Sequence, residues 1–569
     1  YGEEHYSLLA SGNSAVDAAA FLQLDPTALA NGFYTLRLRV VDLAGRRGEA
    51  SIDVEIDSAT KQPQLLRSET DFVLTVAGHD LPFARSYDSL ARSIPGSFGE
   101  GWRLAFRDVD LQNDAALTGR ETAGVLGTFA DGQRVFVTLP DGQRTAFTFT
   151  PQKRSIPGQT WYLPAFVAAD GSGWSLEAPA TVLQRAGSSY FDLLTGKGYN
   201  PANAAGTDYL LVAPDGTRYS IGDGEVREIA FADGVRLLVS DSGIVASNGQ
   251  RVQFSLNADG FIDRVVADDG RQFLYDYDAL GRLLAVRDLE GARSLRYGYE
   301  EGALGRLAIR VDAAGGKRFD YGASAVVQQA ITADLGSSLG YLATSFSGDL
   351  AAGEEDRLAF TLRDSELAST ASGAVYLGLI VEGSGGLLPQ IPVLQGLSPV
   401  ASSVQGNRAF ALYRLDRAGL KLIEVSAASA GSYQLSLFVA GDANRDGKAD
   451  GRDAVLIAAA AGLRSGDAGY ALPLDADANG VVDSLDLQLL MQNTGFTPNQ
   501  APVVVAGTVR THEDLDVSAP VSSFVTDPEG DRSYFSIVGA NHGTARLSGD
   551  GRSVIFAPET GFVGSADFT

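Results

Sequence analysis

The stretch that decides the fold of this 569-residue chain reads Gly260-Phe261-Ile262-Asp263-Arg264-Val265-Val266 and, two residues later, Asp269-Gly270-Arg271-Gln272-Phe273-Leu274-Tyr275-Asp276-Tyr277-Asp278. Apolar and polar side chains alternate with a period of two in both segments, which indicates strands with one buried face. The Asp-Gly dipeptide between them is a tight-turn signal. The stretch therefore predicts one antiparallel β-hairpin.

The same hairpin pattern recurs twice downstream. A second unit runs from Gly281 to Tyr299, and a third begins at Gly305 and ends at Tyr321. The starting glycines are spaced 21 and then 24 residues apart. Similarity at a regular spacing indicates a repeat architecture, in which each unit is one hairpin whose ring-bearing strand stacks on the next.

Tight-turn signals extend well upstream of the repeat. Asp-Gly occurs with its Asp at positions 131, 141, 170, 215, 223, 233, 259 and 269, and each dipeptide can adopt the positive φ values of a two-residue hairpin turn. Short alternating runs such as 134–139 lie between these turns. The pattern predicts a long antiparallel sheet or barrel over residues 59–320.

The repeat also carries a family resemblance. Tyr277-Asp278-Ala279-Leu280-Gly281-Arg282-Leu283 resembles the signature of the YD-repeat, or Rhs, family, and residues 81–89 and 96–102 resemble the segment that opens Rhs regions. That family builds spiralling β-sheet shells, some of which enclose a toxin domain. The resemblance implies a short β-spiral spacer, with a shell segment of an Rhs-type polymorphic toxin as an alternative.

Two further β modules flank this region. Residues 33–42 and 50–56 alternate around a turn, predict a half-buried hairpin, and are similar to the last strands of an immunoglobulin-like or fibronectin III-like β-sandwich at 1–58. Residues 321–440 alternate again and close on Gly431-Ser432-Tyr433-Gln434-Leu435. This closing strand is similar to pre-peptidase C-terminal β-sandwiches, which implies an accessory module.

Two acidic twelve-residue loops follow, at 442–453 and 475–486, spaced 33 residues apart. The side chains at loop positions 1, 3, 5, 9 and 12 carry oxygen in both loops. They are Asp442, Asn444, Asp446, Asp450 and Asp453 in the first loop, and Asp475, Asp477, Asn479, Asp483 and Asp486 in the second. Position 7, occupied by Lys448 or Val481, contributes its backbone carbonyl.

Calcium chemistry explains this spacing. Ca²⁺ takes six to eight hard oxygen ligands, and Gly447 and Gly480 at position 6 permit the sharp turn that brings them together. Each loop places three carboxylates and one Asn amide at positions 1, 3, 5 and 12, a charge of −3 facing +2. The sequence therefore predicts two calcium sites.

The loops also have a family likeness. Helices are predicted over 454–461 and 485–492, whereas the β-like segment 433–440 precedes the first loop. A duplicated loop-then-helix with Asp at position 12 resembles a type I dockerin over 441–496. Such modules dock onto cohesins and attach secreted, mostly polysaccharide-degrading enzymes to scaffolds.

The resemblance is incomplete at the positions that recognise partners. The Ser-Thr pair common at positions 10 and 11 is replaced at 451–452 and 484–485, and the following Lys-Arg pair at 458–459 and 491–492. Cohesin docking of a hydrolase carried elsewhere in the parent protein is therefore an alternative to a calcium-stiffened structural module.

Residues 497–569 begin with a Pro- and Asn-containing linker and resemble the first two-thirds of a bacterial cadherin-like tandem repeat. That family suggests further calcium at module boundaries, with Asp527, Glu529 and Asp531 as candidate ligands. A plain acidic β-turn is the alternative interpretation of these three residues.

Composition excludes several functions. Asp and Glu number 70 against 45 Lys and Arg, and the net charge of −25 disfavours nucleic-acid and anionic-membrane partners. There is no Cys for disulfides or nucleophilic catalysis, and no apolar run long enough to span a membrane. The four His (His5, His79, His512 and His542) are isolated, without zinc-ligand spacing.

The chain opens at Tyr1 and stops within the strand-like pattern 561–569, so we expect a fragment of a longer protein. The predicted fold class is mainly β: tandem β-sandwich and β-hairpin-repeat modules with one small α dockerin domain built from the duplicated calcium loop-helix. The predicted function is non-catalytic, structural and adhesive, in a large extracellular or surface-anchored bacterial protein. Expected partners are a cohesin-like module, neighbouring modules of the same chain, surface polysaccharide or another cell.

Overall fold

A computed structural model describes residues 9–10, 12, 23–42, 44–58, 60–115, 118, 125–169, 171, 173–203, 208–289, 293–301, 305–531, 533–548 and 551–569. His5, Asp170 of one predicted turn, and Gly291 and Ala292 of the second repeat unit lie outside these residues. The chain divides into two compact units, residues 1–283 with 321–326, and residues 284–320 with 327–569. The division falls within the region 59–320, and the module boundaries drawn from the sequence remain predictions.

The first unit consists of strands joined by turns, with 3-10 turns at Pro26–Ala28 and Pro201–Asn203. Its strands are β1 (Gly32–Val41), β2 (Arg47–Ile56), β3 (Leu66–Val76), β4 (His79–Asp88), β5 (Pro95–Gly96), β6 (Gly99–Glu100), β7 (Trp102–Leu104), β8 (Gln112–Asn113), β9 (Arg134–Thr138), β10 (Arg144–Phe149), β11 (Gln152–Ile156), β12 (Gln159–Leu163), β13 (Phe166–Ala168), β14 (Ser175–Glu177), β15 (Leu183–Ala186), β16 (Ser189–Asp192), β17 (Tyr209–Val212), β18 (Arg218–Gly222), β19 (Glu225–Ala230), β20 (Arg236–Ser240), β21 (Gly243–Ala246), β22 (Arg251–Leu256), β23 (Ile262–Val266) and β24 (Gln272–Tyr277).

The long antiparallel sheet predicted from the turn signals is present. In the first unit, β14 and then β17 to β24 lie side by side in chain order, each antiparallel to the next. The deciding stretch forms the hairpin β23–β24, with Val266 opposite Gln272. Smaller sheets of order β13-β10-β9-β8, β11-β12-β15-β16 and β3-β4-β7 complete the unit.

The turn type differs from the prediction at most Asp-Gly dipeptides. Gly234 donates its N–H to the carbonyl of Phe231 at 3.0 Å, and Phe231 donates to Val235 at 2.9 Å. Only Gly234, with φ 94°, is left-handed, so the loop is a three-residue type I turn with a glycine bulge. The same bonds recur at the turns of Asp141, Asp215, Asp259 and Asp269.

The predicted two-residue turn occurs at Asp223-Gly224. Both residues have positive φ, 54° and 80°, and they connect the directly paired residues Gly222 and Glu225. The two-residue prediction is therefore confirmed at this dipeptide and wrong at Asp233-Gly234 and its equivalents. The extra residue of the bulge adds local twist, which suits a long sheet.

The segment that resembles an Rhs opening packs on the first repeat hairpin. Glu100 donates its N–H to the carbonyl of Gly281 at 2.9 Å, and Ile262 donates to Ser97 at 2.8 Å. The rings of Phe98 and Tyr275 lie with centroids 4.7 Å apart. In this part of the structure, the repeat tyrosine therefore contacts the upstream segment as well as its own sheet.

The hairpin predicted for residues 33–56 exists, but its expected burial is wrong among the described residues. β1 and β2 pair over their full length, from Gly32 opposite Ile56 to Val41 opposite Arg47. The pair forms a two-stranded sheet of its own, in which Leu38 and Ile52 are 52% and 62% exposed. Alternation reports which residues share a face, but it does not reveal whether another layer covers that face.

Among its described residues, the second unit contains the remaining strands and four α-helices, with 3-10 turns at Leu472–Leu474 and Val521–Phe524. Its elements are β25 (Leu283–Asp288), β26 (Arg293–Tyr299), β27 (Leu307–Asp312), β28 (Gly315–Tyr321), β29 (Val326–Ile331), β30 (Ala333–Asp334), α1 (Ser338–Tyr341), β31 (Phe346–Leu350), β32 (Glu355–Leu362), α2 (Asp364–Ser369), β33 (Val375–Ser384), β34 (Val393–Leu394), β35 (Ala401–Gln405), β36 (Arg408–Leu415), β37 (Gly419–Ser426), β38 (Gly431–Val439), α3 (Gly451–Ala459), α4 (Ser484–Asn493), β39 (Val503–Val504), β40 (Val517–Ala519), β41 (Val525–Thr526), β42 (Ala540–Asn541), β43 (Gly543–Leu547), β44 (Val554–Pro558) and β45 (Asp567–Phe568).

A β-sandwich forms the centre of the second unit. One sheet has the order β30-β32-β37-β34 and the other the order β31-β38-β33-β36-β35. Their inner faces meet in one apolar core that includes Phe360, Leu379, Tyr413 and Ile423. The mainly β fold class and the sandwich are confirmed.

Strands β25 to β29 lie side by side in chain order, and β39 to β45 form small sheets in residues 503–568.

Candidate calcium sites

The two acidic loops occupy equivalent places in the second unit. The first loop follows strand β38 directly and ends in α3, and the second follows the 3-10 turn Leu472–Leu474 and ends in α4. The predicted order of strand, loop and helix is confirmed for the first loop. Both helices begin earlier than predicted, at Gly451 and Ser484, since the loop aspartates themselves act as their caps.

Positions 9 and 12 of each loop start its helix. Asp450 and Asp483 are the N-cap residues and accept the N–H of the residue two further on at 2.7 Å. Asp453 and Asp486 complete the capping box, accepting the N-cap N–H at 2.9 and 2.7 Å. An aspartate at position 12 therefore fits these loops because it closes both the loop and the helix terminus.

Positions 1 and 6 are bonded alike in the two loops. Asp442 accepts the N–H groups of positions 5 and 6 at 3.1 and 2.9 Å, and Asp475 accepts the same pair at 3.1 and 2.8 Å. Gly447 and Gly480 at position 6 have φ of 82° and 90°, so the glycine required by the turn is used in both.

Positions 3 and 5 are exchanged between the loops, but their contact is the same. Asn444 donates its amide to Asp446 at 3.0 Å in the first loop, and Asn479 donates to Asp477 at 3.0 Å in the second. Lys448 and Val481 at position 7 supply N–H donors to position 5 at 3.0 and 2.8 Å. The duplication noticed in the sequence is therefore a duplication of bonding geometry.

Five of the loop carboxylates are buried. Asp453, Asp475 and Asp486 have no exposed surface, while Asp442 and Asp477 are 3% and 8% exposed. Within the described part of the chain, no ion pair joins any of them to Lys or Arg. A buried carboxylate without a counter-charge is strongly unfavourable, and the usual remedies are protonation or a bound cation.

Burial and neighbouring charges shift these groups toward the protonated form. Burial, with the nearby Asp453 and Asp446, raises the pKa of Asp442 to about 6. Burial, with the adjoining carboxyl of Asp475, raises the pKa of Asp477 to about 6. Burial likewise raises the pKa of Asp486. Hard oxygens held in this manner fit Ca²⁺, which would supply the missing positive charge.

The second loop gathers its ligands most closely. Asp475, Asp477 and Asp486 each offer a carboxylate oxygen, and these three oxygens lie within 4.8 Å of one another. Among the described residues, the trio Asp442, Asp446 and Asp453 is not drawn together in this way, nor are Asp527, Glu529 and Asp531. Asp527 instead accepts the N–H groups of Glu529 and Asp531 at 3.1 and 2.9 Å, the arrangement of an acidic turn.

We expect calcium-free protein to lose stability as the pH rises. Because the pKa of Asp477 is near 6 in the folded chain and 3.8 ordinarily, the unfolded chain releases that proton first. Stability from this group is therefore lost between about pH 4 and pH 6. Urea unfolding in chelator at several pH values should show this loss, and Asp477→Asn should reduce it. An unchanged pH profile in the variant would contradict the assignment.

Both loops pack on the outer face of the five-stranded sheet. Ala476 and Ala478 of the second loop and Leu489 of α4 share an apolar cluster with Ile380 and Phe410 of that sheet. From the first loop, the guanidinium of Arg445 lies 4.3 Å above the ring of Phe438. Ile457 and Leu490 belong to the same core as the sandwich interior. The loops, helices and sandwich therefore share apolar cores.

Two residues important to this arrangement escaped the sequence reasoning. Asn493, at the end of α4, is fully buried and bonds to backbone groups of Tyr376 and Ala440. Tyr470 donates its hydroxyl to Asp475 at 2.7 Å. Neither belongs to the twelve-residue pattern. A comparison of the two loops could have revealed Tyr470. It lies five residues before Asp475, whereas the equivalent position before Asp442 holds Leu437.

The helix positions associated with partner recognition are all on the surface. Residues 451–452 and 458–459 of α3, and 484–485 and 491–492 of α4, are exposed. Val455 and Met491 on these helices are 68% and 65% exposed. These accessible positions carry Gly451, Arg452, Ala458 and Ala459 in α3, and Ser484, Leu485, Met491 and Gln492 in α4.

One sequence pattern of catalytic type is used structurally. Gly336-Ser337-Ser338-Leu339-Gly340 has a serine between two spaced glycines, but Ser338 is fully buried. Its hydroxyl is bonded to Glu366 and accepts the N–H of Asn499 at 3.0 Å. His79 contacts Asp233 at 2.8 Å and stacks on Phe231, far along the chain from Ser338. The bonds of Ser338 to Glu366 and Asn499 fasten the chain at residue 499 to the sandwich.

Comparison with known proteins identifies one part of the chain. Residues 499–569 match the family model Big_9, described as bacterial Ig domain, where the sequence pattern resembled a cadherin-like repeat. No curated protein matches the chain. No helix among the described residues has the length and apolar character needed to cross a membrane.

Two solved structures are similar at low levels. The crystal structure of TcdB2-TccC3-TEV has 13% identity and a TM-score of 0.18, over 55% of this chain and 19% of that one. The structure of beta-fructofuranosidase from Schwanniomyces occidentalis complexed with fructosyl-erythritol has 8% identity and a TM-score of 0.09, over 66% and 96%. Neither likeness supports a structural or functional conclusion.

The chain thus spans about a fifth of the first of these structures. Its described part is a multidomain, mainly β arrangement, and residues 499–569 resemble the Ig-like domains that are typical of extracellular and surface proteins of bacteria.

Proposed function

We propose that this chain is a non-catalytic, calcium-binding structural and adhesive segment of a large extracellular bacterial protein. The observation that carries the proposal is the pair of loops whose five buried carboxylates form no ion pair with Lys or Arg among the described residues. The twelve ligands are those of positions 1, 3, 5, 7, 9 and 12 in the loops beginning at Asp442 and Asp475. The Ig-like match supports the extracellular, structural part of the proposal.

The role of calcium in this proposal is mechanical. Ca²⁺ would replace mutual repulsion within each loop by attraction to one ion, and each loop ends in a helix that shares a core with the sandwich. Extracellular modules commonly bind calcium at about 10⁻⁴–10⁻³ M. With calcium at ten times such a constant, each site would stabilise the fold by about 1.4 kcal/mol.

We expect calorimetric titration of the full chain to give two calcium sites and chelation to lower the melting temperature. Asp446→Ala should remove the first site and Asp477→Ala the second, since each deletes a ligand. Asp467→Asn is the matched control, because that carboxylate is exposed between the loops and bonds only to Arg464 among its described contacts. Two sites retained in both loop variants, or no binding at millimolar calcium, would contradict the proposal.

A second candidate function is attachment through the exposed faces of α3 and α4, with a hydrolase elsewhere in the parent protein. The exposed apolar residues Val455 and Met491 favour a protein partner on these faces. Retention of a cohesin module on immobilised full chain, lost in chelator and in Met491→Glu, would support it. Absence of retention in calcium would leave neighbouring modules, surface polysaccharide or another cell as the proposed partners. A shell segment of an Rhs-type toxin is the remaining alternative.

A further inference from the structure

The two loops differ in how their first ligand is held. Asp475 receives three hydrogen bonds: Asn479 N–H on Oδ1 at 3.1 Å, Gly480 N–H on Oδ2 at 2.8 Å, and the Tyr470 hydroxyl on Oδ2 at 2.7 Å. Asp442 receives two, both from backbone N–H groups of its own loop, among the described bonds. The side-chain donor is therefore a feature of the second loop.

Tyr470 is itself fixed in position. Its backbone N–H donates to the carbonyl of Asp467 at 3.2 Å, and its side chain packs against the sandwich core. Its ring also lines a groove with Arg408 and Phe410 of β36 and with Gly480 of the loop. A donor held by both the sheet and the core restricts the rotation of the carboxylate that it bonds.

The two loops also differ in how closely their ligand oxygens lie. Oxygens of Asp475, Asp477 and Asp486 lie within 4.8 Å of one another in the loop that has the tyrosine. At the position equivalent to Tyr470, the first loop has Leu437, a strand residue buried in the core, which has no side-chain donor. Pre-arranged ligands cost less ordering when the ion binds.

We propose that Tyr470 is a positioning residue that holds Asp475 in its ligating orientation and makes the second calcium site the tighter of the two. This inference rests on the proposed function, because it requires both loops to bind calcium. Loss of an outer-shell hydrogen-bond partner commonly weakens metal affinity by about 10–100-fold. Tyr470→Phe removes only the hydroxyl and should have an effect of that size on one site.

The test uses the full chain and CaCl₂, with each site isolated in turn. In the Asp446→Ala background only the second site remains, and adding Tyr470→Phe should weaken it by about 10–100-fold. In the Asp477→Ala background only the first site remains, and Tyr470→Phe should leave its dissociation constant unchanged. The second site, measured in the Asp446→Ala background, should also bind calcium more tightly than the first site, measured in the Asp477→Ala background.

Tyr413→Phe is the matched control in both backgrounds. It deletes a buried tyrosine hydroxyl that donates to Pro392 at 2.9 Å inside the same sandwich, away from the loops. A role for Tyr470 in stability alone would make the two Phe variants alike, with calcium affinity unaffected. Unchanged second-site affinity in Tyr470→Phe would overturn the inference, whereas absence of calcium binding in the parent chain would overturn the proposed function instead.

Discussion

Replacement of Arg85 by Met is expected to lower the free energy of unfolding of the first unit by about 3–5 kcal/mol, because it leaves Asp71 buried without a counter-charge. The Arg85 Nε and Nη2 atoms donate to the two Asp71 oxygens at 2.8 Å each, and the side chains are 0% and 2% exposed. The Tyr275 hydroxyl adds a third bond to Asp71 at 2.8 Å. The pair thus links strands β3 and β4 to the repeat strand β24.

The measurement is urea unfolding followed by tryptophan fluorescence, since Trp102, Trp161 and Trp174 all belong to the first unit. Arg39→Met is the control, because the Arg39–Glu49 pair is 52% and 41% exposed and should contribute less than about 1 kcal/mol. Arg85→Met combined with Asp71→Asn should recover much of the loss. Equal, small losses in Arg85→Met and Arg39→Met would show that the buried pair is not charged in the folded protein.

Asn493→Ala should destabilise the second unit by roughly 2 kcal/mol or more, because it takes the side-chain partner from the Tyr376 N–H and the Ala440 carbonyl. The Tyr376 carbonyl keeps a second donor, the N–H of Ala440 at 2.9 Å. The Asn493 amide accepts the N–H of Tyr376 at 2.8 Å and donates to the carbonyls of Tyr376 and Ala440 at 2.9 and 2.8 Å. These bonds join the end of α4 to strand β33 and to the residue after strand β38. The variant therefore removes the hydrogen bonds between the end of α4 and the sandwich.

Scanning calorimetry with circular dichroism of the full chain should detect this change as a lowered transition of the second unit. Asn407→Ala is the control, since the Asn407 amide donates to the Gly383 carbonyl at 2.6 Å at a less buried site and should cost about 1 kcal/mol. The tryptophan signal of the first unit should stay unchanged. If both variants melted alike, the buried amide of Asn493 would have no special part in holding α4.

Local patterns in the sequence were sufficient for elements whose contacts are close in sequence. The hairpin β23–β24 pairs neighbouring residues, so its alternation and its glycine were enough to predict it. The two acidic loops also bond within twelve residues, and the shared pattern of Asp442 and Asp475 was visible directly. The turn type could not be predicted from the dipeptide alone. Asp233-Gly234 and Asp223-Gly224 have the same two residues, but the first belongs to a three-residue loop and the second to a two-residue loop.

Contacts between residues that are distant in sequence could not be predicted from local sequence patterns. Asn493 and Tyr376 are 117 residues apart, and Tyr275 and Asp71 are 204 apart. The polar side chains of Asn493 and Asp71 are buried because the fold brings a partner to each, and neither of these two positions is marked by periodicity or spacing. The exposed β1–β2 ribbon shows the opposite limit, since a strong alternating pattern there predicted a covering layer that the described residues do not provide.

The cover that the two acidic loops give to the five-stranded sheet determines where the chain can be cut for laboratory work. A fragment ending at residue 440 would expose the large apolar side chains of Ile380, Phe410 and Phe438, which share a buried cluster with the loops. Such a sheet face invites aggregation during expression. A fragment of 441–496 alone would in turn lose the apolar surface against which Ile457 and Leu490 are packed. Soluble material for crystallisation or labelling should therefore keep the sandwich and both loops on one polypeptide.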